Sequence, residues 1–297
     1  MSANTKGVLN AIAAAASYGT NPLFALPLYA AGMEVNSVLF YRYAFAVLIY
    51  GFWLKFIKKV SLQITFKQGV CLAVMALFFA SSSLTLFSAF KYMEAGLACT
   101  ILFIYPILVA LIMALFFHEK IDKILWVSIA MITVGVVALY NGGEQVRINA
   151  VGLAWVLASA WVYAIYIVMV RKAKPVAAMN GAKLSFYVML FGLVFFVLLL
   201  KGGMDLQPLT SPWLCLCAVA LALFPTIISL ETLTVAIQII GSTSTAIIGA
   251  LEPVTALFIG ILLFGEHLTP KIAAGVCLIL LGVILVIRAQ HTQKSGN

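Results

Sequence analysis

The sequence is poor in charge. Only 9% of its 297 residues are Asp, Glu, Lys or Arg, and nine residues in all are acidic. Soluble domains carry about a quarter charged residues, so a water-soluble fold is excluded, in keeping with a mean hydropathy of +1.14. Histidine is scarce: His118, His267 and His291 fall at loops or in the tail and cannot converge across a bilayer on one centre. The stretch His118-Glu119-Lys120-Ile121-Asp122 lacks the second histidine of a zinc protease signature. The five cysteines, Cys71, Cys99, Cys215, Cys217 and Cys277, each lie inside an apolar run with no partner spacing in a polar loop. They read as small core hydrophobes, and neither disulfides nor a thiolate metal site is expected. No glycine-rich phosphate loop is present, so any work done must draw on a gradient. No cofactor, no metal and no enzymatic activity are expected.

What the chain has is long apolar sequence, with 64% hydrophobic residues. Apolar runs near 7–28, 37–57, 68–90, 95–117, 122–140, 150–171, 181–200, 212–236, 243–264 and 271–288 are long enough to cross about 30 Å as helices. They do not alternate as barrel strands would. The expected fold is therefore an all-α polytopic membrane protein of ten spans, numbered here in chain order. The first run follows Lys6 and passes small residues at 14–17 without a polar break, so it reads as a span and not a cleaved leader. The net charge of +9 sits in short loops, which positive-inside topology explains without nucleic acid. Thirteen Lys and Arg fall on one side and four on the other (Lys91, Arg147, Lys201, Lys271), with Arg42 inside a span. This bias places both termini in the cytoplasm, in a bacterial cytoplasmic membrane.

Shifted by 147 residues, the chain meets itself. Pro106 aligns with Pro253, Glu119 with Glu266, Gly135 with Gly282, and Thr85-Leu86 with Thr232-Leu233, giving 12 identities over 57 positions. So few identities would be weak in an apolar chain, but composition does not supply matching Pro, Glu and Gly. At a shift of 145, Gly7 and Tyr18 align with Gly152 and Tyr163. Two halves, 1–143 and 144–297, each of five spans, follow. Five is odd, so the second half enters from the opposite face, the inverted repeat of carriers whose site lies near the midplane.

The halves ending in Pro106 to Glu119 and Pro253 to Glu266, with Leu-Glu-Pro-Val at 251–254 and Phe-Gly-Glu at 264–266, resemble the EamA-type transporters of the drug/metabolite transporter superfamily. The Trp-Gly often seen in the first helix of that family is Tyr18-Gly19 here. The resemblance implies a ten-helix carrier of small metabolites, often an exporter, with a central cavity between the halves and spans 5 and 10 set apart as support. It does not choose among amino acids, nucleobases, sugars and drugs.

Glu252 is the first candidate for substrate binding or coupling. Nine residues into span 9 put it about 13 Å deep, near the midplane, where a carboxylate costs about 2.5–3.5 kcal/mol. It binds a cationic group or carries a proton, or else it only donates to a carbonyl freed by Pro253. Thr245, Gly249 and Thr255 share its face. Tyr105 is its repeat counterpart, either bonded to the carboxylate or a plain core tyrosine. Glu231 is a second intramembrane carboxylate, near the cytoplasmic end of span 8, with a hydrated vestibule or a basic partner as the bland reading. Arg42 lies about five residues inside the end of span 2, where snorkelling is the default; facing inward, it would pair a substrate carboxylate or Glu252. Asn21, beside Pro22, and Trp155 and Tyr163 in span 6 are candidate cavity walls. Pro106, Pro253 and Pro225 are expected bends, and Glu119 and Glu266 expected caps. The expected partners are the lipid bilayer and a small-molecule substrate, not nucleic acid; the sequence leaves the oligomeric state open, with a monomer plausible. The expectation is a secondary transporter working by alternating access, and the alternative a non-transport membrane protein, enzyme or receptor-like, with a solidly packed centre.

Overall fold

A computed structural model describes residues 3–93, 95–119, 122–139, 149–264 and 270–295, and all regular structure among them is helical. Span 1 is Ala3–Tyr18 followed by Asn21–Ala30; span 2 is Val35–Phe52, continued by a π turn over Trp53–Ile57; span 3 is Phe66–Ala89. Span 4 is Ala95–Leu102 followed by Tyr105–Phe117, span 5 is Lys123–Leu139, span 6 is Ala150–Lys172 and span 7 is Gly181–Leu199. Span 8 joins Pro212–Ala222 to Ser229–Ile240 through the π segment Leu223–Ile228; span 9 is Ser242–Ile248 followed by Leu251–Phe264; span 10 is Pro270–Ser295. The ten expected spans are all there, but spans 1, 4 and 9 are each two short helices. The expected boundary at 143–144 lies outside the described residues.

Local chemistry sets the starts. Thr65 and Gln68 form a reciprocal capping box at span 3, and Asn149, Asn180 and Ser211 accept first-turn amides at spans 6, 7 and 8. Five helical stretches are by themselves long and apolar enough to cross a bilayer: Val35–Ile57, Phe66–Ala89, Ala150–Lys172, Gly181–Leu199 and Pro212–Ile240. Their outward faces carry large apolar residues, with Leu48, Leu198 and Leu216 67%, 72% and 59% exposed. Such a surface is stable against lipid and not against water, so the protein is an integral, multi-pass membrane protein.

The packing repeats the sequence symmetry. Span 1 lies on span 8 as span 6 lies on span 3; span 4 lies on span 6 as span 9 lies on span 1; spans 5 and 10 pack on each other. Glycines reproduce the pattern at atomic scale. A Cβ on Gly7 would meet Ile239 and Ile240, while one on Gly152 would meet Tyr92 and Met93, their counterparts at a shift of 147. A Cβ on Gly135 would come 2.7 Å from the Gly275 carbonyl and 2.8 Å from Ile279, and one on Gly282 would come 3.2 Å from the Ser128 carbonyl and 2.5 Å from Ile132, again counterparts. An internal twofold therefore relates the halves, and it runs through the interface of spans 5 and 10, where small residues let the backbones touch.

Gly135→Ala and Gly282→Ala should each destabilise the detergent-solubilised protein by about 1–3 kcal/mol through overpacking. Gly69→Ala, whose Cβ would sit 3.6 Å from Ile64, should be neutral or mildly stabilising. Thermal unfolding followed by fluorescence measures all three.

Candidate functional site

Around the twofold, four ring and carboxyl positions meet. Tyr18 and its counterpart Tyr163 stack with ring centroids 6.4 Å apart and planes 13° from parallel. Tyr105 meets Tyr163 edge-on at 5.0 Å. By symmetry Glu252, the counterpart of Tyr105, belongs beside Tyr18, and the two line one cavity.

The broken spans deliver these groups. Span 4 stops at Leu102 and restarts at Tyr105, with Pro106 in its first turn; span 9 stops at Ile248 and restarts at Leu251, with Pro253 in its first turn. A first-turn proline costs no helical hydrogen bond, so both prolines start a helix after a break instead of bending one from within. Across the second break the Glu252 amide donates to the Gly249 carbonyl over 2.8 Å. Span 1 breaks at Gly19-Thr20 against the same place: a Cβ on Gly19 would lie 2.6 Å from the Glu252 carbonyl oxygen.

The cavity is lined by Tyr18, Asn21, Phe90, Cys99, Tyr105 and Glu252, with apolar walls from Leu86, Leu102 and Phe103. At about 30 Å3 it has room for one or two waters, so an organic solute enters only if the walls part. It occupies one side of the twofold because Tyr105 fills the other. Its phenol donates to the Ala246 carbonyl at 3.2 Å and lies so close to Gly249 that a Cβ there would be 2.0 Å from the hydroxyl oxygen. Ala246 is the counterpart of Cys99, which lines the cavity beside Glu252. A shorter Glu in place of Tyr leaves the space open.

Of the two readings of Tyr105, the contact to the Ala246 carbonyl fits the core tyrosine with a satisfied hydroxyl and not the one bonded to the carboxylate. Among the described residues no side chain is hydrogen-bonded to the Glu252 carboxyl group. Asn21 is buried against the cavity, its amide donating to the Tyr18 carbonyl at 3.0 Å and its Oδ1 unpartnered. Tyr163 is buried, stacked on Tyr18 and edge-on to Tyr105, and does not line the cavity itself. Thr245 is buried but turned to its own helix, donating to the Gly241 carbonyl at 2.7 Å, and Trp155 lines a separate surface pocket with Glu34 and Lys91; neither lines the central cavity. Glu231 is half-buried near Tyr50, also away from it. Glu119 pairs with Lys172 at 3.5 Å, joining the ends of spans 4 and 6 where a cap on span 5 was expected. Glu266 lies outside the described residues.

Arg42 overturns its default reading. It does not snorkel: its exposure is 0%. Pro225 explains where it goes. Lacking an N–H, Pro225 leaves the Leu221 carbonyl free, the helix widens into the π segment, and Thr226 Oγ1 donates to that carbonyl at 2.8 Å. The same hydroxyl accepts from Arg42 Nε at 2.6 Å, and the Pro225 carbonyl accepts from Nη2 at 3.0 Å. The expected bend is therefore a cradle for a guanidinium.

Sequence reasoning passed over a pair of latches. Lys91 forms an ion pair with Glu34 in the turn before span 2, beside a vestibule lined by Tyr29, Glu34, Phe90 and Lys91. Phe90 also lines the central cavity, so the two spaces share a wall. At the opposite end Gln238, the counterpart of Lys91, donates to the Met179 carbonyl at 3.0 Å in the turn before span 7, and the Gln238 carbonyl accepts from Arg171 at 2.6 Å. The alignment of Lys91 with Gln238 was a signal in the sequence; that both were contacts was not.

A helical membrane bundle with an internal twofold and a cavity beside its axis is the architecture of a two-repeat carrier. The EamA-like transporter family model matches residues 5–141 and 150–288, and the chain belongs to that family. Among curated proteins it is similar to the uncharacterized transporter sll1319 of Synechocystis sp. (strain ATCC 27184 / PCC 6803 / Kazusa), 27% identical over 218 residues, which span 71% of this chain and 64% of that relative. A solved structure described only as "Crystal structure of protein" superposes with a TM-score of 0.77 over 97% of this chain and 99% of its own, at 17% identity, a likeness of fold alone.

Gly249→Ala should destabilise the protein by driving a methyl into the Tyr105 hydroxyl, and Tyr105→Phe, which loses a bond worth about 1 kcal/mol, should recover most of that loss in the double variant. Additive losses in a double-mutant cycle would contradict the contact.

Proposed function

We propose that the protein is a secondary-active transporter that carries a small organic solute by alternating access, working as a proton-coupled exporter in a cytoplasmic membrane with both termini inside. The observation that carries the reading is Glu252, whose carboxyl group has no side-chain hydrogen-bond partner among the described residues and lines a cavity beside the internal twofold. Enclosing a bare carboxylate away from water costs several kcal/mol, so passage through a closed state requires Glu252 to be loaded with a proton or with a cationic group of the solute. That requirement is coupling. Each half, 1–143 and 144–297, supplies a latch at one end of the bundle, and rocking of the halves would break one latch at a time. The Lys91–Glu34 pair is well exposed, and such pairs are worth about 0–1 kcal/mol, suiting a gate that opens. The bias of Lys and Arg supports the orientation, and membership of a transporter family together with the cavity favours transport over an enzyme or a packed receptor.

A thermal-shift screen of the purified protein against metabolite and drug panels supplies a substrate for proteoliposome assays. Glu252→Gln, always neutral, should reach the membrane and still equilibrate that solute but lose accumulation driven by a pH gradient. Accumulation at the wild-type rate with an unchanged pH profile would refute the coupling role.

A further inference from the structure

Arg42 is a cation in a membrane helix that no described carboxylate pairs. Its Nε and Nη2 are held by Thr226 and the Pro225 carbonyl, yet Nη1, equally buried, has no partner. An intramembrane Arg is expensive wherever it stands, and here the cradle leaves one of its donors unused. The guanidinium lies between two rings, with its carbon 5.9 Å from the Tyr18 centroid and 5.5 Å from the Phe87 centroid. Tyr18 is a wall of the central cavity. Phe87 packs edge-on against Tyr29 at 6.2 Å, and Tyr29 is a wall of the vestibule whose own buried hydroxyl has no partner. Two orphaned donors, one cationic, therefore sit in the partition between cavity and vestibule, and the walls on the cavity side, Leu86, Phe90, Leu102 and Phe103, are apolar.

We propose that this partition is an anion subsite and that the carried solute is a carboxylate with an apolar body. The carboxylate takes Arg42 Nη1 and the Tyr29 hydroxyl when the walls part, satisfying both groups with charge-assisted hydrogen bonds; the body lies against the apolar walls, with Glu252 at its far end. Phe87 and Tyr18 fix the guanidinium plane between them, so the donor is positioned before the solute arrives. This deepens the transport reading above and rests on it for the word "carried", but binding at the subsite can be measured without transport.

The test is equilibrium binding to the full-length protein in detergent, by thermal shift and calorimetry, using 4-methylpentanoate and 3-phenylpropanoate against their uncharged amides, matched in size and shape. The acids should bind at least about tenfold more tightly than the amides, a difference that one charge-assisted contact can supply. Arg42→Gln should erase the preference, and Arg42→Lys should keep part of it. Should Arg42→Gln fail to fold, Tyr29→Phe, which removes only a hydroxyl, should weaken the acids severalfold and leave the amides unchanged. Equal binding of acid and amide by the wild type, no binding of either acid at millimolar concentration, or undiminished acid binding by Arg42→Gln or Tyr29→Phe would each overturn the proposal. Acid-selective binding without transport would leave the subsite standing and refute the carrier reading instead.

Discussion

Inside a bilayer every backbone N–H and C=O must find a partner within the protein, and that constraint shapes the rest of this molecule. Three spans are broken, at 19–20, 103–104 and 249–250. None of the breaks can face lipid, so all three gather at the centre of the bundle, where the Glu252 amide, the Tyr105 hydroxyl and the Asn21 amide occupy carbonyls that the breaks leave free. Non-helical backbone at membrane depth must be buried in protein or line a cavity; here it does both. The site is where the helices could not be continuous.

The twofold makes two equivalent places at that centre, and the sequence treats them differently. On one side Tyr105 closes the space with a ring and a hydroxyl; on the other Glu252 leaves it open and adds a group that can take up a proton or a cation. Duplication explains the scaffold, the repeated prolines and the mirrored glycine contacts of spans 5 and 10. The departures from it are Glu for Tyr at 252, Cys for Ala at 99, a broken span 1 opposite an unbroken span 6, and the Pro225 π segment that holds Arg42. The two latches show the same division, an ion pair at one end and, at the other, hydrogen bonds from Gln238 and Arg171 to backbone carbonyls.

Much of this was legible in the sequence. Spans follow from the length and polarity of apolar runs, the repeat from matched Pro, Glu and Gly, and the meeting of Glu252 with Tyr105 from their shared register beside proline. What was not legible depended on side-chain direction across helices far apart in sequence. Arg42 lies close enough to its helix end to snorkel, and nothing local says that Thr226 and Pro225, 184 and 183 residues away, hold it inside. Thr245 shares a helical face with Glu252 only if span 9 is continuous; the break at 249–250 cancels that periodicity. Trp155 fits an aromatic stripe with Tyr163, but two turns along span 6 carry it out of the central cavity and into the pocket beside Lys91. The break in span 1 was foreshadowed by Gly19 and Asn21-Pro22, a punctuation that a long hydropathy window averages away.

The central claim is that one cavity, at Cys99 and Glu252, opens to each side of the membrane in turn. Cys99 can report it directly in a protein whose other four cysteines are replaced by serine or alanine, labelled in oriented membranes by an impermeant maleimide from each face. The account predicts labelling from both faces, and selective loss of labelling from the face of the Lys91–Glu34 pair when that latch is locked by a cysteine cross-link at 34 and 91. Labelling from neither face, or undiminished labelling from the locked face, would contradict it.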